Sequence, residues 1–311
     1  MNSLRLWHAL NHPPTMHPLF WLTVERSVHS NRLPSRFSWV DRLSIAYLLV
    51  FGASILLVNA LGTHTQSAFI TILMLLLALP IIVPLVILLR STVFSGSYHG
   101  LLWAIDISQF VTRERQNGTY DLLCLLPTGG LAAHWAICTG CLYRNQQFNR
   151  LLEMRGAILR VVLIFSAFIF LGLRGESTEE EGILFVLGVA ALLAAMYVDF
   201  IHSIVLGGLV GMIAPLYTYN RTDARLWAAG IFLAIQVWVY GVTVFAGLMI
   251  APRLFEGIGF RGWFVTALIP FVMVLVFTAV REIMIIGLWR WLLAQTNTDP
   301  HDLGRVFSFI P

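Results

Sequence analysis

The chain has 311 residues, of which 58% are hydrophobic and only 12% charged, about half the charged share of an ordinary soluble domain. Its mean hydropathy is +0.79 and its net charge is +4. These values exclude a disordered chain, a soluble nucleic-acid binder and most cytoplasmic enzymes, and they leave a multi-span membrane protein.

All 20 residues in the Lys-plus-Arg count are Arg. The chain therefore carries no P-loop lysine and no Schiff-base lysine, and any nucleotide chemistry belongs to a partner. In a membrane protein the basic balance points first to cytoplasmic loops beside anionic headgroups.

In chain order, Pro18 opens an expected helix reaching about Asn31. Phe20, Val24 and Val28 repeat along one face, a pattern suited to a helix lying in the membrane interface. A crossing needs about 20 mostly apolar residues, and six stretches meet or approach that length. They are residues 43–61, 68–89 (with Pro80 and Pro84), 157–173, 182–217, 226–250 and 263–291.

Residues 93–111 are apolar but interrupted by Ser95, Gly96, Ser97, His99 and Asp106. We read them as an interfacial or cytoplasmic continuation of the second span. Residues 113–127 read as a short charged helix start, a Gly118-Thr119 break, and an apolar ridge stopped by Pro127. Cys138-Thr-Gly-Cys141, with His134 and Cys124, has the composition of a Cys₃His zinc set. The plainer reading is reduced cytoplasmic thiols on a helix, and no metal site is expected.

The fourth stretch is too long for one perpendicular crossing. Either it is one long helix projecting into the cytoplasm, or it breaks near Asp199. Asp199 and His202 share a helical face, so they form a candidate intramembrane polar pair, placed nearer the inner face than the midplane. Ser177 and Glu180, just before this stretch, have capping-box spacing. Gly207, Gly208 and Gly211 suit close helix contact or a break. In the last stretch, Trp263 and Trp289 suit the two aromatic belts, and Arg281 is expected to snorkel toward the inner headgroups.

With both termini in the cytoplasm, seventeen arginines lie inside and three outside (Arg174, Arg253 and Arg261). That asymmetry holds for an even number of spans. The whole chain, 1–311, is read as a single transmembrane domain. Residues 1–41 form a cytoplasmic or interfacial segment, and residues 90–156 a cytoplasmic segment between spans two and three. No nucleophile–base pairing suggests a catalytic site.

The pattern Glu114-Arg115-x-x-Gly118-Thr119-x-x-Leu122-Leu123-x-x-x-Pro127 resembles the segment between spans two and three of ABC-2-type permeases. These are the transmembrane subunits of a class of ATP-binding-cassette transporters. His17-Pro18-Leu19-Phe20-Trp21 is similar to that family's amphipathic entry helix. The stretch from Asp199 to Tyr240, with Arg221-Thr222-Asp223-Ala224-Arg225, looks like its region around spans four and five. The chain departs at Gln116 and Asp121, where the family more usually has Glu.

The resemblance implies an all-α polytopic fold of six transmembrane helices, with an N-terminal interfacial helix and a cytoplasmic coupling helix. It implies that Arg113, Glu114, Arg115, Gly118, Thr119, Leu122, Leu123 and Pro127 contact an ATPase subunit. It also implies a plasma (inner) membrane location, a second permease subunit, identical or paralogous, and no cofactor in this chain, with ATP and Mg on the partner. The implied function is transport by alternating access. The alternative is a non-transporting structural subunit of a larger membrane complex that retains the permease fold.

Overall fold

The computed structural model describes residues 2–15, 17–25, 95–118, 129–144, 148, 179–258 and 263–296. Among these residues the regular structure is helical, with no strand. In chain order the helices are α1 (Asn2–Asn11), α2 (Pro18–Glu25), α3 (Ser95–Gln116), α4 (Gly129–Tyr143), α5 (Glu179–Ile213), α6 (Arg221–Phe245), α7 (Ala251–Ile258) and α8 (Trp263–Gln295). The expected spans at 43–61, 68–89 and 157–173, the Ser177 cap, and Cys124 lie outside the described residues.

Three helical stretches are long and apolar enough to cross a membrane: Val186–Leu216, Arg221–Arg253 and Leu268–Gln295. They coincide with the fourth, fifth and sixth stretches expected from hydropathy. Along α6 the outward face carries Leu226, Leu233, Val237, Trp238 and Phe245, all exposed, with Val237 at 73%. So continuous an apolar surface is unfavourable in water and suits hydrocarbon. These features are those of a membrane protein.

Helix α5 is unbroken through Asp199. Its 35 residues extend about 52 Å, well beyond a hydrocarbon core of about 30 Å. This decides between the two sequence readings in favour of one long helix. The excess is covered by protein. Up to about residue 198 the helix is partly exposed, and from Asp199 to Pro215 it is buried on every side. A 3₁₀ turn, Ala214–Leu216, ends it. Helix α6 starts after Asn220, whose extended backbone (φ −101°) leaves its carbonyl to accept the Ala224 N–H at 3.0 Å. At its C-terminal end α6 passes through a π turn, Ala246–Ile250, that joins it to α7.

Helix α3 lies along α5 and α6 and is the innermost connection of the bundle. Its approach to α5 is backbone to backbone. A methyl group on Gly207 would meet the carbonyl of Gly100, and one on Gly100 would meet the carbonyl of Ser203. The glycines therefore serve close contact and not a break, as small residues do between membrane helices.

Helix α4 is buried along residues 131–142. At 15 residues it is too short to cross a bilayer. Helix α2 does begin at Pro18, and its inner face packs on α4. Leu19 joins Ala133 and Ala136, and Thr23 sits against Gly140. Helix α1 was not expected from sequence. Ser3, Leu6, Ala9 and Leu10 form its buried stripe, while Leu4, Arg5 and His8 face outward. That i, i+3, i+4 spacing docks it on α5 and α8.

Candidate functional site

The most concentrated polar chemistry in the described residues lies where α3, α5, α6 and α8 meet. Otherwise apolar stretches bring six polar or charged residues to this point: Asp199 and Ser203 from α5, Gln236 and Tyr240 from α6, Arg281 from α8, and Ser97 from α3. Arg281 is fully buried (0% exposed). Its Nη2 lies 2.6 Å from Asp199 Oδ1 and donates to Gln236 Oε1 at 2.6 Å. Its Nη1 donates to the Asp199 carbonyl at 3.0 Å and to Ser203 Oγ at 2.9 Å. The guanidinium also lies over the ring of Phe277, 4.4 Å from its centroid.

The carboxylate is held from other directions as well. Tyr240 donates its hydroxyl to Asp199 Oδ1 at 2.8 Å. Ser97 Oγ is 3.2 Å from the Tyr240 hydroxyl, which ties α3 into the same network. Gln236 Nε2 donates to Ser203 Oγ at 3.3 Å.

Arg281 therefore does not snorkel. Its guanidinium is neutralised by the carboxylate that α5 presents. A buried charge tolerates the low dielectric only with such a partner and further hydrogen bonds. The sequence does contain the signal: two ionisable residues of opposite sign, each in an otherwise apolar span, need each other. Gln236 in the intervening span is the third member.

Asp199 and His202 do not bond each other. His202 instead meets Ser3 of α1 and Glu282 of α8. Its Nε2 lies 3.1 Å from Ser3 Oγ and 3.8 Å from Glu282 Oε2. The backbone N–H of Ser3 donates to Glu282 Oε1 at 3.2 Å. One helical face of α5 thus feeds two adjoining polar centres.

A second assembly lies at the far end of α3. Residues 113–116 end that 22-residue helix and do not start a new one, contrary to the sequence reading. Gly118 has φ +71° and closes the C-terminus, its N–H donating to the Arg115 carbonyl at 3.1 Å. Only glycine takes that conformation without strain. Arg115 Nη1 donates to the Pro215 carbonyl at 2.9 Å, and its guanidinium lies over the Tyr219 ring, 5.5 Å from the centroid. Gln116 uses both ends of its amide. Nε2 donates to the Tyr219 carbonyl at 2.8 Å, and Oε1 accepts from Arg221 Nε at 3.2 Å. A carboxylate at position 116 could accept from Arg221 but could not donate to Tyr219.

The end of α3 is therefore clasped to the turn between α5 and α6. Of the charged triplet, Arg113 is exposed, Glu114 is 4% exposed and faces the bundle, and Arg115 serves the clasp. Thr119, Leu122, Leu123 and Pro127 lie outside the described residues.

Cys138 and Cys141 are both buried free thiols on α4. Burial pushes both up; Cys141 reaches about 12, with the Asp106 carboxylate adding to the effect and Arg144 opposing it. His134 is pushed down to about 4, chiefly by burial and then by the Arg115 charge. Among the described residues no group of three or more His, Cys, Asp or Glu side chains is placed to hold a metal ion. Comparison with protein-family models, curated proteins and solved structures finds no match to this chain.

Proposed function

We propose that the chain is the transmembrane permease subunit of an ATP-binding-cassette transporter of the ABC-2 type. It moves its substrate by alternating access, driven by a separate ATPase subunit that carries ATP and Mg. It works beside a second permease subunit in the plasma membrane, with both termini cytoplasmic. The reading rests first on the sequence pattern from Glu114 to Pro127.

The observation that carries it further is the clasp. The end of α3 leads directly into the segment that resembles a coupling helix, and Arg115 and Gln116 bind it to the turn joining two membrane helices. A push on that segment would reach α5 and α6 through hydrogen bonds and not through a slack loop. The alternative, a non-transporting structural subunit, draws support from the contact between Gly100 and Gly207, which resists sliding of α3 on α5.

The test is association with an ATPase subunit in native membranes, comparing the parent with Arg113→Glu combined with Leu122→Asp. Arg113 is chosen because it is exposed, whereas Glu114 faces the bundle. Loss of the ATPase with the permease still folded supports docking at this segment. Unchanged association removes the docking role.

A further inference from the structure

We propose that α1 is a proton-controlled lid over the His202–Glu282 centre. The argument starts from how α1 is attached. At its C-terminal end the attachment is apolar and aromatic: Trp7 packs against Phe148 and Phe200 at 5.8 and 6.0 Å between centroids, and the Tyr143 hydroxyl donates to the Asn11 carbonyl at 3.1 Å. At its N-terminal end Ser3 makes polar contacts to both members of the centre. Ser3 is fully buried, gives its N–H to Glu282 and places its hydroxyl on His202.

Glu282 thereby caps the first turn of α1 from another helix. The free N–H groups and the positive end of the helix dipole favour a carboxylate there over a carboxylic acid. Docking and the ionised form support each other, so a proton taken up by Glu282 weakens docking, and undocking opens the centre to protons.

Among the described residues, these charged or titratable groups lie around Glu282 or on the helices that meet there. His202 faces it from α5, and Asp199 lies one turn earlier on that helix, already paired with Arg281. Arg281 precedes it on α8 and points to the opposite centre. Arg5 and His8 lie on the outward face of α1. A proton on His202 would strengthen its attraction to Glu282 and hold the lid, whereas a proton on Glu282 releases it. The two groups therefore act with opposite sign. The inference does not depend on any ATPase partner.

The experiment is thiol labelling of the full chain in membranes, with the native cysteines replaced by Ser or Ala. Leu6→Cys, buried at 3%, is the reporter, and Leu4→Cys, exposed at 47%, corrects for the pH dependence of labelling itself. Ala9→Cys is a second reporter that makes a smaller volume change. The expected result is a Leu6→Cys to Leu4→Cys rate ratio that rises about fivefold or more as pH falls through the carboxylate range. In Glu282→Gln the ratio should be high and flat, while His202→Asn should retain the rise.

A ratio that stays low and flat in the parent and in Glu282→Gln overturns the lid. A pH response abolished by His202→Asn but kept in Glu282→Gln overturns the assignment to Glu282.

Discussion

Replacing Asp199 with Ala should be among the most damaging single changes in the chain, and the structure gives the size. Arg281 is fully buried, and its Nη2 lies 2.6 Å from the carboxylate. Breaking such a pair from one side leaves an uncompensated charge and costs about 3–5 kcal/mol. Tyr240 also loses its acceptor, and an unmade buried hydrogen bond adds about 1–3 kcal/mol. The double change Asp199→Ala with Arg281→Met removes the stranded charge. It should recover about 2 kcal/mol or more over Asp199→Ala alone. Recovery should be incomplete, because Gln236 Oε1, Ser203 Oγ and the Asp199 carbonyl all lose the donor that Arg281 supplies. Asp199→Asn should lie between parent and Ala, since its side-chain carbonyl can still accept from Tyr240. The assay is equilibrium unfolding in detergent, with the parent, Asp199→Ala, Arg281→Met and the double variant compared as a double-mutant cycle and Asp199→Asn measured beside them. The reasoning is refuted if the double variant is no more stable than Asp199→Ala.

Gly207→Ala should destabilise by several kcal/mol, because its methyl group meets a backbone carbonyl that cannot swing away. Gly230→Ala, where a methyl group meets open space, should be neutral or stabilise by about 0.5–1 kcal/mol. Thermal unfolding of both variants checks the contrast. Burial holds His134 at about 4, below its ordinary value near 6.5, so the unfolded chain binds a proton that the folded chain refuses. That contribution is fully present above about pH 6.5 and is lost progressively down to about pH 4, on the order of 3 kcal/mol. His134→Gln should flatten this part of the pH–stability curve, and an unchanged slope would refute it. The thiols of Cys138 and Cys141 should resist maleimide at pH 8 until the protein is unfolded; stoichiometric labelling of the native protein would contradict their burial. Gln116→Glu should weaken the clasp by about 1 kcal/mol, seen as faster amide exchange over residues 217–221 with little change elsewhere.

Hydropathy made the last three spans legible, because each is an unbroken apolar run longer than the bilayer. It could not decide whether the run containing Asp199 was one helix or two. That depended on whether partners covered its excess length, and α1, α3 and α4 supply them. Spacing placed Asp199 and His202 on one face, but their partners come from residues 281, 282 and 3, and helix periodicity carries no information over such separations. Placing Arg281 toward the inner leaflet from the Trp263–Trp289 spacing suggests snorkelling; the carboxylate that another helix presents reverses that choice. The end of α3 was mistaken for a helix start since Arg-Glu-Arg followed by Gly suits either terminus, and only the left-handed Gly118 distinguishes them. Helix α1 escaped notice because ten residues with Arg, His and Asn among them show little beyond a short buried stripe.

The central claim, a permease subunit with its ATPase on another chain, is tested most directly by purifying the full chain from native membranes in mild detergent. The proteins retained with it are then identified and counted. The account predicts a P-loop ATPase with an ABC signature in stoichiometric amount, retained by the parent and lost from Arg113→Glu with Leu122→Asp. Stoichiometric recovery with a membrane complex that contains no ATPase would contradict it.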